Sequence, residues 1–78
     1  MDTIQAIRQI INASGKSIRQ AAGDMGKSPT YLSSFLTRGS IPKADTLATL
    51  ADVCDYDLLL VHRDTGETIR IDPIPREQ

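Results

Sequence analysis

The sequence predicts a mostly α protein, a bundle of four to five short helices followed by a C-terminal β-hairpin. Three observations carry that expectation. Apolar residues recur at helical spacing in four segments, 3–14, 18–25, 29–37 and 43–55. These segments are bounded by residues suited to starting or ending a helix. The period then falls to two over residues 58–72, around Asp64-Thr65-Gly66.

In the first segment Ile4, Ile7, Ile10 and Ile11 form one stripe. Asp2 with Gln5 offers a capping box at its start, and Gly15 ends it. Asn12-Ala13-Ser14 matches a glycosylation acceptor, a coincidence in a chain without a secretion signal. Ser17 with Gln20 gives the second segment its own capping box. Ser28 is placed to cap the third, with Pro29 at the first helical position, where a missing N–H costs nothing. Gly26 falls between the second and third segments, where a tight bend needs positive φ. The inward positions there are Ala21, Ala22, Met25, Leu32, Phe35 and Leu36, and the small alanines let the third helix cross close over the second. Residues 17–38 thus carry a helix-turn-helix signature. In the fourth segment Leu47, Leu50, Ala51 and Cys54 form the apolar stripe, and Asp45 in the first turn suits the helix dipole. Cys54 lies on that stripe and reads as a small buried hydrophobe.

The hairpin is expected from Leu58–His62 and Thr68–Asp72, with a three-residue loop. Pairing Arg63 with Glu67 sets Val61 opposite Ile69 and Leu59 opposite Ile71, which makes one face wholly apolar. A lone hairpin is marginal in water, so that face needs cover. Pro73 and Pro75 end the strand, and residues 73–78 are expected to form a flexible tail.

Counted from Ile18, the chain has a small residue at the fifth place (Ala22), glycine at the ninth (Gly26) and apolar residues at the fifteenth and eighteenth (Leu32, Phe35). Gly39, Pro42, Thr46-Leu47 and Leu50-Ala51 continue the pattern. Over residues 3–57 the chain resembles the Xre family of bacterial and phage regulators, the Cro and lambda-repressor-like helix-turn-helix class. It departs from the family at Lys27, which replaces a valine-like residue, at Leu36, which replaces an acidic one, and at Arg38-Gly39, which lengthen the exit from the third helix. The resemblance implies a DNA-binding domain over residues 1–57, with the 29–37 helix in the major groove. The hairpin, 58–72, is then an addition for packing or dimerisation.

A 78-residue chain with 40% hydrophobic content is one small domain rather than a disordered segment. No run approaches the ~18 apolar residues of a membrane span. With no signal-peptide pattern and a single cysteine, the expected compartment is the cytoplasm. The net charge of −1 conceals a division. Residues 16–43 carry five basic side chains against Asp24 alone, whereas residues 44–78 carry three against eight acidic ones. Phosphate responds to the local field within about a Debye length, ~8–10 Å, so the basic half can serve DNA despite the total.

The outward face of the third helix offers Thr30, Tyr31, Ser33, Ser34 and Thr37 to base edges. Short hydroxyl side chains permit close approach and can donate or accept, but they discriminate weakly. Ser33 and Ser34 equally suit a solvated helix surface. Tyr31 has two outlets, a sugar or thymine methyl on DNA or the neighbouring helix. Lys16, Arg19 and Lys27, with the cap residues Ser17 and Ser28, surround the N-termini of the second and third helices. Those termini already favour phosphate, so cations there strengthen an anion site. Arg38 and Lys43 flank the next loop, within reach of further phosphates.

Nothing points to catalysis or to a cofactor. His62 is the only histidine, and no Gly-rich phosphate loop or zinc-ligand spacing occurs. Asp52, Asp55 and Asp57 lack the order of a calcium loop. The expected function is sequence-specific binding of double-stranded, palindromic DNA by a homodimeric repressor, joined through Leu59, Val61, Ile69 and Ile71. The alternative is an antitoxin or other protein-interaction module whose acidic C-terminal half engages a basic partner. For the hairpin, the alternative is that it only covers the monomer's own core.

Overall fold

Side-chain caps set the first two helix starts. In the computed structural model, which describes residues 1–74, α1 (Thr3–Ser14) begins at Asp2 and α2 (Ile18–Asp24) at Ser17, each with a reciprocal capping box. Asp2 Oδ1 accepts from the Gln5 N–H at 2.8 Å and Ser17 Oγ from the Gln20 N–H at 3.0 Å. The turn after α2 closes at Gly26, φ 78°. The Lys27 N–H reaches back to the Ala22 carbonyl and the Gly26 N–H to that of Gly23, the Schellman arrangement.

The third helix, α3, spans Tyr31–Arg38 and starts later than expected, at Thr30. Ser28 does not cap it. The Tyr31 N–H bonds to the Ser28 carbonyl at 3.1 Å, and Thr30 sits at φ −96°, ψ 0°. Residues 28–31 therefore form a type I turn with Pro29 at the second position, where its fixed φ is equally favoured. At the far end the Ser40 N–H bonds to the Phe35 carbonyl around Gly39, which accounts for the lengthened exit at Arg38-Gly39. The fourth helix, α4, spans Ala44–Val53.

The core gathers Ile7 and Ile11 from α1, Ala21, Ala22 and Met25 around α2, Leu32 and Leu36 from α3, and Leu50, Val53 and Cys54 around α4. Ala21 and Ala22 are wholly buried, and α2 packs there against both α3 and α4. Phe35 departs from the expected inward set. It is only half-buried, its ring edge-on to Tyr31 at 5.1 Å, while Leu36 points into the core.

Strands β1 (Leu58–Val61) and β2 (Thr68–Ile71) form a two-stranded antiparallel sheet, and both touch α4. Their register differs from the expected one by a residue. Leu58 pairs with Ile71, Leu59 with Arg70, Leu60 with Ile69 and Val61 with Thr68. One face is thus Leu58, Leu60, Ile69 and Ile71, while Leu59 and Val61 lie on the other with Thr68 and Arg70. The cause is a loop of four residues, 63–66, instead of three. His62 Nδ1 accepts from the N–H groups of Asp64 and Thr65, at 3.2 and 3.3 Å, and holds the wider turn. The expected tail also begins attached. The Ile74 N–H donates to Thr49 Oγ1 at 2.8 Å, and that hydroxyl in turn donates to the Asp45 carbonyl. The rest of the tail, 75–78, lies outside the described residues.

Candidate nucleic-acid interface

The exposed side of α3 is built on one carbonyl. Thr30 sits in the turn at the helix start, and its carbonyl oxygen accepts from the Ser34 N–H at 3.0 Å. The hydroxyls of Ser33 and Ser34 also donate to it, at 3.0 and 2.9 Å. That carbonyl has two lone pairs and already accepts the Ser34 N–H, so the two hydroxyls compete for the remaining one and each keeps lone pairs of its own. Ser33, Ser34, Thr37 and Arg38 line a shallow groove along this side. The Arg38 Nε donates to the Ser34 carbonyl at 3.3 Å, which lays the guanidinium along the helix. Thr30, Ser34, Thr37 and Arg38 are exposed, and Ser33 is half-buried.

Tyr31 takes the protein-side outlet. It is half-buried against the core and Phe35, while Lys27 Nζ lies 5.4 Å from its ring centroid. That cation–π contact holds Lys27 at the entrance to α3, with Ser28 exposed beside it in sequence.

The remaining cations divide. Arg19 and Lys43 are exposed, and no ion pair is formed by them among the described residues. Lys16 differs, because its ammonium meets Asp24 at 2.6 Å. The hydrogen bond and charge of Asp24 raise the Lys16 pKa above its ordinary value. Its charge is thus directed across the two ends of α2 rather than outward. Ser17 Oγ is likewise engaged, as the α2 cap. Arg8 and Asn12, four apart on the polar side of α1, line a cleft with Ile11, Lys16, Ser17 and Ile18.

On this geometry, the comparison with known families is decisive. A family model described as helix-turn-helix, HTH_3, matches residues 7–61. The chain belongs to this helix-turn-helix family. The match spans all of α2 and α3 and extends through α4 into β1. The family is the Xre and lambda-repressor-like one, a class of DNA-binding transcription regulators, so the architecture and its general role go together. Comparisons with curated proteins and with solved structures each returned no match. No helix among the described residues of this helix-turn-helix protein is long and apolar enough to cross a membrane.

Proposed function

We propose that the protein is a sequence-specific binder of double-stranded DNA that represses transcription, two copies reading a palindromic site. The supporting observation is the exposed side of α3, where hydroxyls and one guanidinium share a shallow groove. With α3 in the major groove, Thr30, Ser33, Ser34 and Thr37 meet base edges, and Tyr31 lies at the margin. Lys27, Arg19, Arg38 and Lys43 supply phosphate contacts, with Ser28 and Ser17 near the helix starts. Lys16 contributes less, being held by Asp24. Because the Ser33 and Ser34 hydroxyls share one Thr30 carbonyl, they keep both donor and acceptor capacity for base edges. Two half-sites about one helical turn, ~34 Å, apart compensate for the modest discrimination of hydroxyl readers.

The test is selection of bound sequences from a random duplex pool, followed by titration of the winner at two salt concentrations. The expected result is an inverted repeat bound with a steep salt dependence. Enrichment of no sequence, or only of non-repeated ones, overturns the reading. Repression itself is checked by placing the selected site across a reporter promoter, where the protein should lower expression.

One observation favours a second reading. Asp55, Asp57, Asp64, Glu67 and Asp72 are all exposed on or beside the hairpin, a surface suited to a basic protein such as a toxin. Arg70 offsets part of it by bonding Asp57 at 3.1 Å and Asp72 at 2.9 Å. A protein that selects no DNA sequence but is stabilised by a basic partner would move the assignment to that class.

A further inference from the structure

The hairpin turn is held by one imidazole. The Asp64 and Thr65 N–H groups both point at His62 Nδ1, at 3.2 and 3.3 Å, so that nitrogen is an acceptor and the ring carries its proton on Nε2. The backbone of the same residue closes the ladder. Its N–H donates to the Glu67 carbonyl at 2.8 Å, and its carbonyl accepts from the Gly66 N–H at 3.0 Å. The strand adds no register signal of its own, because β1 is apolar at every position. Histidine is the side chain whose charge changes between about pH 5 and 8, and an imidazolium has no acceptor nitrogen.

We propose that His62 is a proton-operated clamp on the hairpin. The neutral ring holds the 63–66 turn, and the protonated ring releases the Asp64 and Thr65 amides and turns to the Glu67 carboxylate. Protonation sets an N–H on Nδ1 against two N–H dipoles, so both hydrogen bonds are lost together and repulsion replaces them. Glu67 is the acid placed to receive the imidazolium. His62 and Glu67 form the next pair beyond Val61 and Thr68, so their side chains share the face of Leu60 and Ile69. Arg70 occupies the opposite face, engaged by Asp57 and Asp72. Arg63 and Asp64, in the turn itself, carry opposite charges beside the ring in sequence. The helix α4 packs at the far end of the hairpin, four pairs or roughly 13 Å along the strand. Neither Asp45 nor Asp52 of that helix forms an ion pair with the ring. Among the described residues His62 and Glu67 form no ion pair either, so that contact is left for the charged ring. Release acts on the turn end, where Leu60 and Ile69 are largely exposed, while Leu58 and Ile71 keep their place on α4. One side chain's proton thus decides whether the outer, apolar half of the hairpin is ordered.

The experiment follows the full-length protein, without DNA, by nuclear magnetic resonance from about pH 8 to about pH 5.5, above the range in which ordinary carboxylates titrate. At the alkaline end the ring nitrogens should report the Nε2–H tautomer. As His62 titrates, the Asp64 and Thr65 amide signals should move with the same midpoint. The bond from His62 to Glu67 makes Val61–Thr68 a non-hydrogen-bonded pair, whose close α-protons give a cross-strand signal. That signal should be lost at the acid end, while the corresponding Leu59–Arg70 signal nearer α4 persists. His62→Asn offers its Oδ1 to the same amides without titrating, and should keep the Val61–Thr68 signal throughout. Glu67→Gln should keep the turn at the alkaline end and move the transition to lower pH, since it withdraws the charge that favours the imidazolium. An Nδ1–H tautomer at the alkaline end, a ring still neutral at the acid end, or a Val61–Thr68 signal that survives protonation overturns the clamp. So does a transition that persists in His62→Asn. An unchanged midpoint in Glu67→Gln overturns the contact with Glu67. A protein that shows the clamp yet selects no DNA overturns the function proposed above and leaves this inference standing.

Discussion

Among the cations near α3, local partners decide which stay unengaged. Replacing Lys27, Arg19 or Lys43 with alanine should weaken binding to all duplexes alike, each lost phosphate contact lowering the slope of log K against log salt by about 0.9. Ser34→Ala should instead relax preference at one base position, by about 1–3 kcal/mol, with the slope unchanged. Binding isotherms at several salt concentrations on selected and scrambled duplexes separate the two classes. Lys16→Ala belongs to neither, since its ammonium is engaged by Asp24. Its pKa is raised on folding, so the pair stabilises the fold below the ordinary lysine pKa and loses that contribution as pH rises through the folded value. Urea melts of wild type and Asp24→Asn should accordingly differ at neutral pH and converge above the folded pKa of Lys16.

Helix ends and crossings are the units in which stability is set at the level of elements. Asp55 closes α4 at φ 64°, the one non-glycine residue with positive φ among those described. Its N–H bonds to the Asp52 carbonyl and the Tyr56 N–H to that of Ala51, so the left-handed geometry is required by the cap. Asp55→Gly should relieve the strain and stabilise by about 0.5–1 kcal/mol, seen as a higher Tm. At the crossing of α2 over α3 and α4, Ala22 is wholly buried, and Ala22→Leu should overpack it and cost about 1–3 kcal/mol. A denaturant melt with an unchanged midpoint would contradict that packing.

For the molecule as a whole, the hairpin is anchored to α4 at one end. Leu58 and Ile71 are half-buried at the α4 end, whereas Leu60 and Ile69 stand out into solvent. Past β2, Thr49 on α4 receives the Ile74 N–H, a contact spanning 25 residues of chain. Thr49→Val keeps the shape but leaves that N–H and the Asp45 carbonyl without the hydroxyl. It should cost about 1–3 kcal/mol and speed amide exchange in β2 more than in α1. Equal acceleration throughout would show that the strap does not hold the hairpin to the helices.

What the sequence by itself determined is what short-range chemistry decides. Asp2 with Gln5, Ser17 with Gln20, and Gly26 in the turn mark boundaries through bonds within a few residues, and isoleucine or leucine stripes assign the buried faces. The exposed side of α3 follows from the same periodicity. What only the tertiary structure decided depends on competing partners. Pro29 fits both a helix start and a type I turn, and the Ser28 carbonyl bonding Tyr31 resolves it as a turn. Lys16 carries the same charge in the sequence as Lys27, but the end of α2 brings Asp24 to one and the start of α3 brings the Tyr31 ring to the other. The hairpin register was hidden because β1 is apolar at every position, which erases the period-two signal that would have fixed it. His62 supplied the missing choice by bonding two loop amides, and that one-residue shift decides which side chains share a face.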